Sequence, residues 1–326
     1  MLQKVRLGEN MKILVTGGAG FIGHHLVTDL LQKQCQVNIL DVVDISDNRV
    51  EYLVSLGANY FQGDITNYED IIEAGRGCDH VVHLAAQISV PRSIQEPGLN
   101  DSINIHGTRN VIQFANNSSI RKIIFSSSAA VYGDCETNPI KEDYKGELQS
   151  PYAISKLQNE KDLLNLVDES ICVHILRFFN VYGSGQNLSS GYGAVIPSFI
   201  KSLSLGNSPI IYGDGNQTRD FIHVSDVVGL ITKIILKHNT QTRGCYNVAT
   251  QKETSVLQLF ETIRIILVEN FDYDPLPDAI FQSKRAGDID RSFADISATK
   301  AHHIWSPKIS IEQGLRALIQ HQLGDD

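Results

Sequence analysis

Lys12-Ile13-Leu14-Val15-Thr16-Gly17-Gly18-Ala19-Gly20-Phe21-Ile22-Gly23 opens the folded part of a 326-residue chain. A short apolar run reads as a buried strand, and helical spacing of apolar residues follows over 20–33. The glycines sit where the strand turns into the helix. Gly17 permits a tight turn, Gly20 admits a pyrophosphate close to the backbone, and Gly23 lets helix and strand pack closely. Free N–H groups at the helix N-terminus then meet the phosphate charge. The next apolar run, 36–40, is followed by Asp41. A carboxylate there can bond both ribose hydroxyls and would repel a 2′-phosphate, which favours NAD over NADP. Asp64 follows a third predicted strand, 58–62. It suits the adenine edge, and equally the capping of a turn.

Outward from this turn, apolar runs alternate with helical patterns. Strands are predicted at 80–84, 122–126 and 171–177, and helices over 100–116 and 152–167, the latter with Pro151 at or just before its first turn. Such alternation implies parallel pairing through crossovers, hence an α/β, doubly wound parallel (Rossmann) sheet. After Asn180 the pattern changes. A Gly/Ser-rich loop at 183–193 precedes helices at 195–203, 226–238 and 255–270, the last with Thr254 as N-cap. Pro275 and Pro277 make 272–278 a loop. The expected organisation is an NAD-binding domain from 11–188 plus 211–250 and a smaller C-terminal α/β substrate domain from 189–210 plus 251–323. Residues 1–10 read as a loose extension.

Bulk properties narrow the function. Hydrophobic residues make up 42% and charged residues 20%, ordinary for a globular enzyme. The net charge of −9 argues against a nucleic-acid-binding surface. No apolar stretch has transmembrane length. The five cysteines are scattered without metal-ligand spacing, so no metal and free thiols in a cytoplasmic protein are expected.

Tyr152 and Lys156 share one helix face as Tyr-x-x-x-Lys. A cationic neighbour lowers a phenol's pKa from its usual value of about 10. A serine from the upstream run Ser126-Ser127-Ser128 can hold the alcohol being deprotonated. Together with a hydride carrier, this is apparatus for oxidising and reducing an alcohol carbon. The spacing alone is weak, and its plain reading is a surface helix.

Seven ordered segments carry a resemblance: GGAGFIG at 17–23, HLAAQ at 83–87, FSSSAAVYG at 125–133, SPYAISK at 150–156, RFFNVYG at 177–183, YGDGNQTRDFIHVSDV at 212–227 and KRAGD at 284–288. With them the chain resembles the extended short-chain dehydrogenase/reductase family, and within it the nucleotide-sugar epimerases of the UDP-glucose 4-epimerase type, over about 12 to 323. The resemblance implies that Ser128 is the catalytic hydroxyl, Tyr152 the base and Lys156 its partner, which also bonds the nicotinamide ribose. It implies a cofactor site of Gly17, Gly20, Phe21, Ile22, Gly23, Asp41, Asp64, Ile65, Leu84, Ala85, Ala86 and Asn104. It implies substrate contacts at Asn180, Val195, Arg219, Arg285 and Asp288, with Ser292 as a gate beside the sugar. Guanidinium forks suit a diphosphate on physical grounds as well, against structural ion pairing with Asp220 or Asp288. The family's lysine and asparagine are replaced by Ile88 and Ala194, which puts those two contacts in doubt.

Relatives that eliminate water carry an Asp-Glu pair after the catalytic hydroxyl, and a decarboxylating branch uses a glutamate there. This chain has Ala129 and Ala130, which are neither acid nor base. The resemblance then implies NAD-dependent C4 epimerisation of a UDP-sugar through a 4-keto intermediate. The substrates would be UDP-glucose and UDP-galactose, and through the small Ser292 also N-acetylated hexoses. The alternatives are a reductase of 4-keto nucleotide sugars and a cofactor-sensing scaffold. A homodimer through the helices near Asn100 and Tyr152 is also implied. His83 and His223 read as structural, His302-His303 as surface, Trp305, Phe178 and Phe179 as core, and Glu142-Asp143 as a solvated loop.

Overall fold

The computed structural model describes residues 11–135, 137–186, 195–237, 242–271, 273, 275–284 and 289–324. The chain runs β1 (Lys12–Thr16), α1 (Phe21–Gln32), β2 (Gln36–Asp41), α2 (Asn48–Ser55), β3 (Asn59–Gln62), α3 (Tyr68–Gly75), β4 (His80–His83), α4 (Val90–Gln95) and α5 (Pro97–Asn100). A π-helical turn, Asp101–His106, leads into α6 (Gly107–Asn116). Then come β5 (Lys122–Ser128), a 3₁₀ turn (Ala129–Tyr132), α7 (Pro151–Leu164), β6 (Cys172–Phe178), β7 (Asn180–Tyr182), α8 (Val195–Ser204), β8 (Ile210–Tyr212), β9 (Thr218–Arg219), β10 (Phe221–His223) and α9 (Val224–Leu236). The remainder is β11 (Arg243–Val248), β12 (Thr254–Ser255), α10 (Val256–Phe271), β13 (Ile280–Gln282), β14 (Arg291–Ser292), α11 (Ser297–His303) and α12 (Ile311–Leu323).

Among the described residues, seven strands form one sheet in the order β11-β6-β5-β4-β1-β2-β3. β1 pairs with β2 and β4, β2 with β3, and β4 with β5, each in parallel. β4 and β6 are buried along their whole length, as parallel strands covered on both faces must be. This is the doubly wound sheet expected. Leu14, Val81, Ile123, Phe125, Val173 and Ile175 build its core. Lys122 begins β5, and its buried ammonium donates to the carbonyls of Ile234 (2.5 Å), Ile235 (3.3 Å) and Lys237 (3.0 Å). It thereby satisfies the orphan acceptors at the end of α9.

The contacts divide the chain into one unit of 1–133, 148–177 and 228–246, and a second of 134–147, 178–227 and 247–326. Residues 134–147, 178–186, 211–227 and 247–250, expected in the NAD-binding domain, side with the second unit. The second unit packs α8, α10 and α12 around Phe199, Phe260 and Leu315, with the two phenylalanine rings edge to face at 5.8 Å. Among the described residues its strands form three small sheets, β10-β7, β12-β9-β14 and β13-β8.

Local departures from expectation have local causes. The helix predicted over 100–116 is interrupted by the π-helical turn. Thr254 is not the cap of α10; it lies in β12, and Ser255 takes that role. The Ser255 Oγ accepts from Gln258 N and the Gln258 Oε1 accepts from Ser255 N, each at 3.0 Å, a reciprocal capping box. α12, unassigned from the sequence, starts on a second such box, Ser310 with Gln313. His303 is buried rather than at the surface. Trp305 is half-buried, whereas Phe178 and Phe179 lie in the core. Glu142 accepts the Asn247 N–H at 2.8 Å, so it is a structural acceptor as well as a loop residue. All five cysteines are free thiols. Among the described residues no helix is long and apolar enough to cross a membrane, and no cluster of three His, Cys, Asp or Glu has metal-site geometry.

Candidate active site

The glycine turn is built for close approach. Gly17 has φ +72°, in the left-handed region, and a Cβ there would lie 2.6 Å from Ala85 N. A Cβ on Gly23 would fall 2.2 Å from Gly17 O and 2.7 Å from Gly18 Cα, so α1 packs directly on the turn. Gly20 differs: its Cβ would meet Gly17 O at 3.2 Å and nothing nearer. Its lack of a side chain leaves a cradle at the N-terminus of α1, whose N-cap Gly20 provides no side-chain acceptor. Those free N–H groups fit a pyrophosphate. Asp41, at the end of β2, accepts Ala19 N (2.9 Å) and Val43 N (3.3 Å), which aims its carboxylate at the turn. Phe21 and Ile22 are half-buried in the first turn of α1. Leu84, Ala85 and Ala86 follow β4, with Leu84 N bonded to Thr16 O at 3.0 Å. Asp64 Oδ1 accepts Thr66 N at 2.8 Å, the turn-capping geometry. Ile65 is buried against Gly107. These residues come together at the carboxyl ends of β1, β2 and β4, where doubly wound sheets bind dinucleotides.

Asn104 lies in the π-helical turn and is buried. Its side chain accepts Gln87 N (2.8 Å) and donates to Gln87 O (3.0 Å), holding the segment after β4 like a strand partner. It also donates to Asn100 Oδ1 (2.9 Å) and Ser155 Oγ (3.2 Å), and the Ser155 hydroxyl donates to Tyr152 O (2.8 Å). Asn104 therefore links the cofactor loop to α7.

α7 begins at an Ser150 cap, with Pro151 in its first turn. That start fixes the phase of Tyr152 and Lys156. Both are buried, Tyr152 at 8% exposure and Lys156 at 3%. β5 extends two residues beyond the expected 122–126, so all three serines lie on the strand. Alternation turns Ser127 inward, and Ser126 and Ser128 are half-buried. The Ser128 hydroxyl hydrogen-bonds Tyr152, which eases ionisation of the phenol, but burial dominates and raises its pKa. Lys156 Nζ donates to Ser126 O at 2.8 Å and lies 4.8 Å from the Phe125 ring centroid. Burial pushes Lys156 down to about 7, with Glu160 acting in the opposite direction. An ammonium that titrates near neutrality beside a hydroxyl–phenol pair can pass a proton in both directions.

Sequence reasoning did not single out the groups behind this pair. Glu160, one turn beyond Lys156, accepts Ser127 Oγ at 2.5 Å and a two-pronged bond from Arg177 at 2.9 and 2.7 Å. Arg177 also donates to Tyr132 Oη at 2.9 Å. The available signal was the i+4 step from Lys156 to Glu160; Arg177 was quoted only as the first residue of a matching segment.

His83 is structural, as expected. Its Nδ1 is 2.7 Å from Thr16 Oγ1 and its Nε2 is 3.0 Å from Thr108 Oγ1. Burial holds it down at about 3 and His80 at about 4. Below the ordinary histidine pKa of about 6.5, the unfolded chain binds protons that the fold refuses, so stability falls as pH drops from there toward 4. Each histidine contributes a slope of about 1.4 kcal/mol per pH unit. Thermal melts at pH 7 and 5 should show a smaller acid shift for His83→Gln than for the wild type; an equal shift would remove His83 from this account.

The second unit holds other predicted residues. Arg219 and Ser292 are direct partners in the parallel β9–β14 pair. The Arg219 Nη1 donates to Thr218 O (2.8 Å) and Ile289 O (2.6 Å). Asp220 directs its buried carboxylate to Thr250, Gln251 and Ala294. His223 accepts Ser225 N at 3.3 Å and packs edge to face on Tyr182, a structural role. Asn180 is exposed at the start of β7, and Val195 is half-buried at the start of α8. Arg285, Asp288 and Ala194 lie outside the described residues. Ile88 is 74% exposed.

Comparison with known proteins adds a separate line. Residues 13–249 match the NAD dependent epimerase/dehydratase family. The UDP-glucose 4-epimerase of Bacillus subtilis is 31% identical over 325 residues, spanning 93% of this chain and 94% of that protein. The solved structure of UDP-N-acetylglucosamine 4-epimerase from Methanobrevibacter ruminantium, in complex with UDP-N-acetylmuramic acid, superposes with a TM-score of 0.85 at 34% identity, covering 96% of this chain and 98% of that one. Thermus thermophilus UDP-glucose 4-epimerase in complex with NAD gives 0.84 at 29% identity, covering 97% and 100%.

Proposed function

The chain belongs to the NAD-dependent epimerase/dehydratase family of extended short-chain dehydrogenases/reductases, and on that footing we propose that it inverts the C4 hydroxyl of a UDP-sugar. It is an enzyme, and NAD is its cofactor. The observation that carries the reaction is the cluster of the half-buried Ser128 with the buried Tyr152 and Lys156, with Ala129 and Ala130 following Ser128. The cluster moves a proton on and off one oxygen, and the two alanines supply no acid or base for elimination.

Bound at the glycine cradle and Asp41, the cofactor supplies a hydride acceptor and donor. Asp41 and Gly20 hold and admit it, and Asn104 keeps its loop in place. Ser128 orients the sugar hydroxyl, Tyr152 takes and returns its proton, and Lys156 favours the phenolate. Arg219, with Arg285, grips the diphosphate while the 4-keto sugar turns, and Asn180, Val195 and Asp288 complete the nucleotide contacts. UDP-glucose and UDP-galactose are the first substrates. UDP-N-acetylglucosamine and UDP-N-acetylgalactosamine follow, because Ser292 is small and a structural relative at 34% identity is a UDP-N-acetylglucosamine 4-epimerase. The protein works as a homodimer through the helices beginning near Asn100 and Tyr152, the latter exposing Ile154.

Incubation with a panel of UDP-hexoses and UDP-N-acetylhexosamines, followed by NMR, should reveal C4 epimers without net change in NAD. Stoichiometric consumption of reduced cofactor would instead identify a ketoreductase. Ser292→Tyr should cost the N-acetylated substrates roughly tenfold or more in kcat/KM and leave UDP-glucose within about threefold, since added bulk rejects only the larger group. Equal loss on both substrates would contradict the gate.

A further inference from the structure

Tyr152 and Lys156 are carried by α7, whereas Ser128 and the Ser126 carbonyl that receives Lys156 are carried by β5. The proton path thus depends on two elements keeping register. One group ties them together away from the reacting atoms. Glu160 stands on α7 one turn beyond Lys156 and is buried. It accepts the Ser127 hydroxyl at 2.5 Å, from the residue between Ser126 and Ser128. Arg177 on β6 holds the carboxylate with two bonds and reaches Tyr132, at the end of the 3₁₀ turn that follows Ser128, at 2.9 Å.

We propose that Glu160 is a positioning residue for the Tyr152–Lys156 pair: fixed by Arg177, it locks the serine end of β5 to α7. The inference rests on the proton-shuttle reading of the site.

The charge relations are consistent with that role. The groups facing Glu160 are Ser127 from β5, Arg177 from β6 (itself bonded to Tyr132 of the 3₁₀ turn), Cys245 Sγ from β11 at 3.9 Å, and Lys156 on its own helix. The groups facing Lys156 are Tyr152 and Glu160 on α7, Phe125 and the Ser126 carbonyl on β5, and His83 on β4. His83 is held neutral by burial, so Glu160 is the anion that favours the ammonium. A charged Lys156 in turn favours the Tyr152 phenolate. A buried ion pair of this kind contributes little to net stability compared with an apolar pair of similar size. Its place beside a reacting group fits a role in placement.

Glu160→Gln alone would strand the Arg177 guanidinium, so the test removes both charges in Glu160→Gln/Arg177→Met. The readout is the ultraviolet titration of the Tyr152 phenolate in NAD-loaded protein, identified by its loss in Tyr152→Phe. The proposal expects the midpoint to rise by roughly one pH unit. It also expects kcat to fall about tenfold to a hundredfold with KM within twofold. A folded, NAD-loaded double variant with wild-type midpoint and kcat would overturn it. Should that variant not fold, Ser127→Ala removes only the β5 anchor, and an unchanged midpoint there overturns the proposal equally. The titration needs no sugar: a shifted midpoint in a protein whose wild type epimerises nothing would sink the proposed function and leave this role standing.

Discussion

Tyr152→Phe should lose roughly 10²–10⁴-fold in turnover while the purified protein still carries NAD, since a positioned acid–base group supplies about that much and its ring remains in place. The phenol is buried, and the Ser128 hydroxyl is bonded to it. Removing the oxygen leaves Ser128 its bond from Ala130 N at 3.1 Å, so the melting temperature should change little, with about 1 kcal/mol at stake. The pH profile separates chemistry from damage. Burial raises the Tyr152 pKa, so the phenolate fraction grows with pH, and wild-type turnover should climb on its acid limb. The residual rate of the variant should be flat over the same range. NAD content by absorbance and initial rates by coupled assay suffice. A variant within tenfold of the wild type would show that another group moves the proton.

The second large effect is expected of Gly23→Ala. The new Cβ would lie 2.2 Å from Gly17 O and 2.7 Å from Gly18 Cα, and both neighbours are backbone atoms of the turn itself. Neither can rotate away, so α1 must lift from β1 or the turn must open. Overpacking of this kind costs about 1–3 kcal/mol. The same displacement moves the N–H groups that face the pyrophosphate, so NAD should be lost on purification. Gly229→Ala is the control. Gly229 is in α9, and its Cβ would have nothing within 4 Å. That change should be neutral or add about 0.5–1 kcal/mol, the helix-propensity gain of alanine. Melting temperature and retained NAD report both outcomes. If Gly23→Ala melts with the wild type and keeps its NAD, the close packing of α1 on the turn is not what glycine provides.

The parts of this molecule that were readable in advance are those whose physics is local. Gly17, Gly20 and Gly23 act within seven residues, Tyr152 and Lys156 within five, and Asp41 at the end of its own strand. Buried parallel strands such as β4 and β6 announce themselves as apolar runs. What stayed hidden depends on partners far along the chain. Ser127 meets Glu160 across 33 residues, and Lys122 finds its carbonyls more than a hundred residues away. The strands of the second unit are two or three residues long, too short for a period of two to register. Ser255 rather than Thr254 caps α10 because the helix begins at Val256, which places Ser255 directly before its first turn and within reach of Gln258. Arg285 and Asp288 lie outside the described residues, so the arginine pair rests on Arg219 alone within them.

The π-helical turn at Asp101–His106 acts as a phase shifter. An extra residue in one turn rotates everything downstream by about 100° relative to an uninterrupted α-helix. Upstream of the shift, Asn100 holds Asn104; downstream, Val111 and Phe114 face the core and Gly107 meets Ile65. Asn104 sits within the turn, and its carbonyl receives Asn159 Nδ2 at 2.9 Å. One rod thus presents two azimuths, one serving the cofactor loop and α7, the other the hydrophobic interior. Shortening 101–106 by a single residue would restore one common azimuth, and only one of those two duties could then be met.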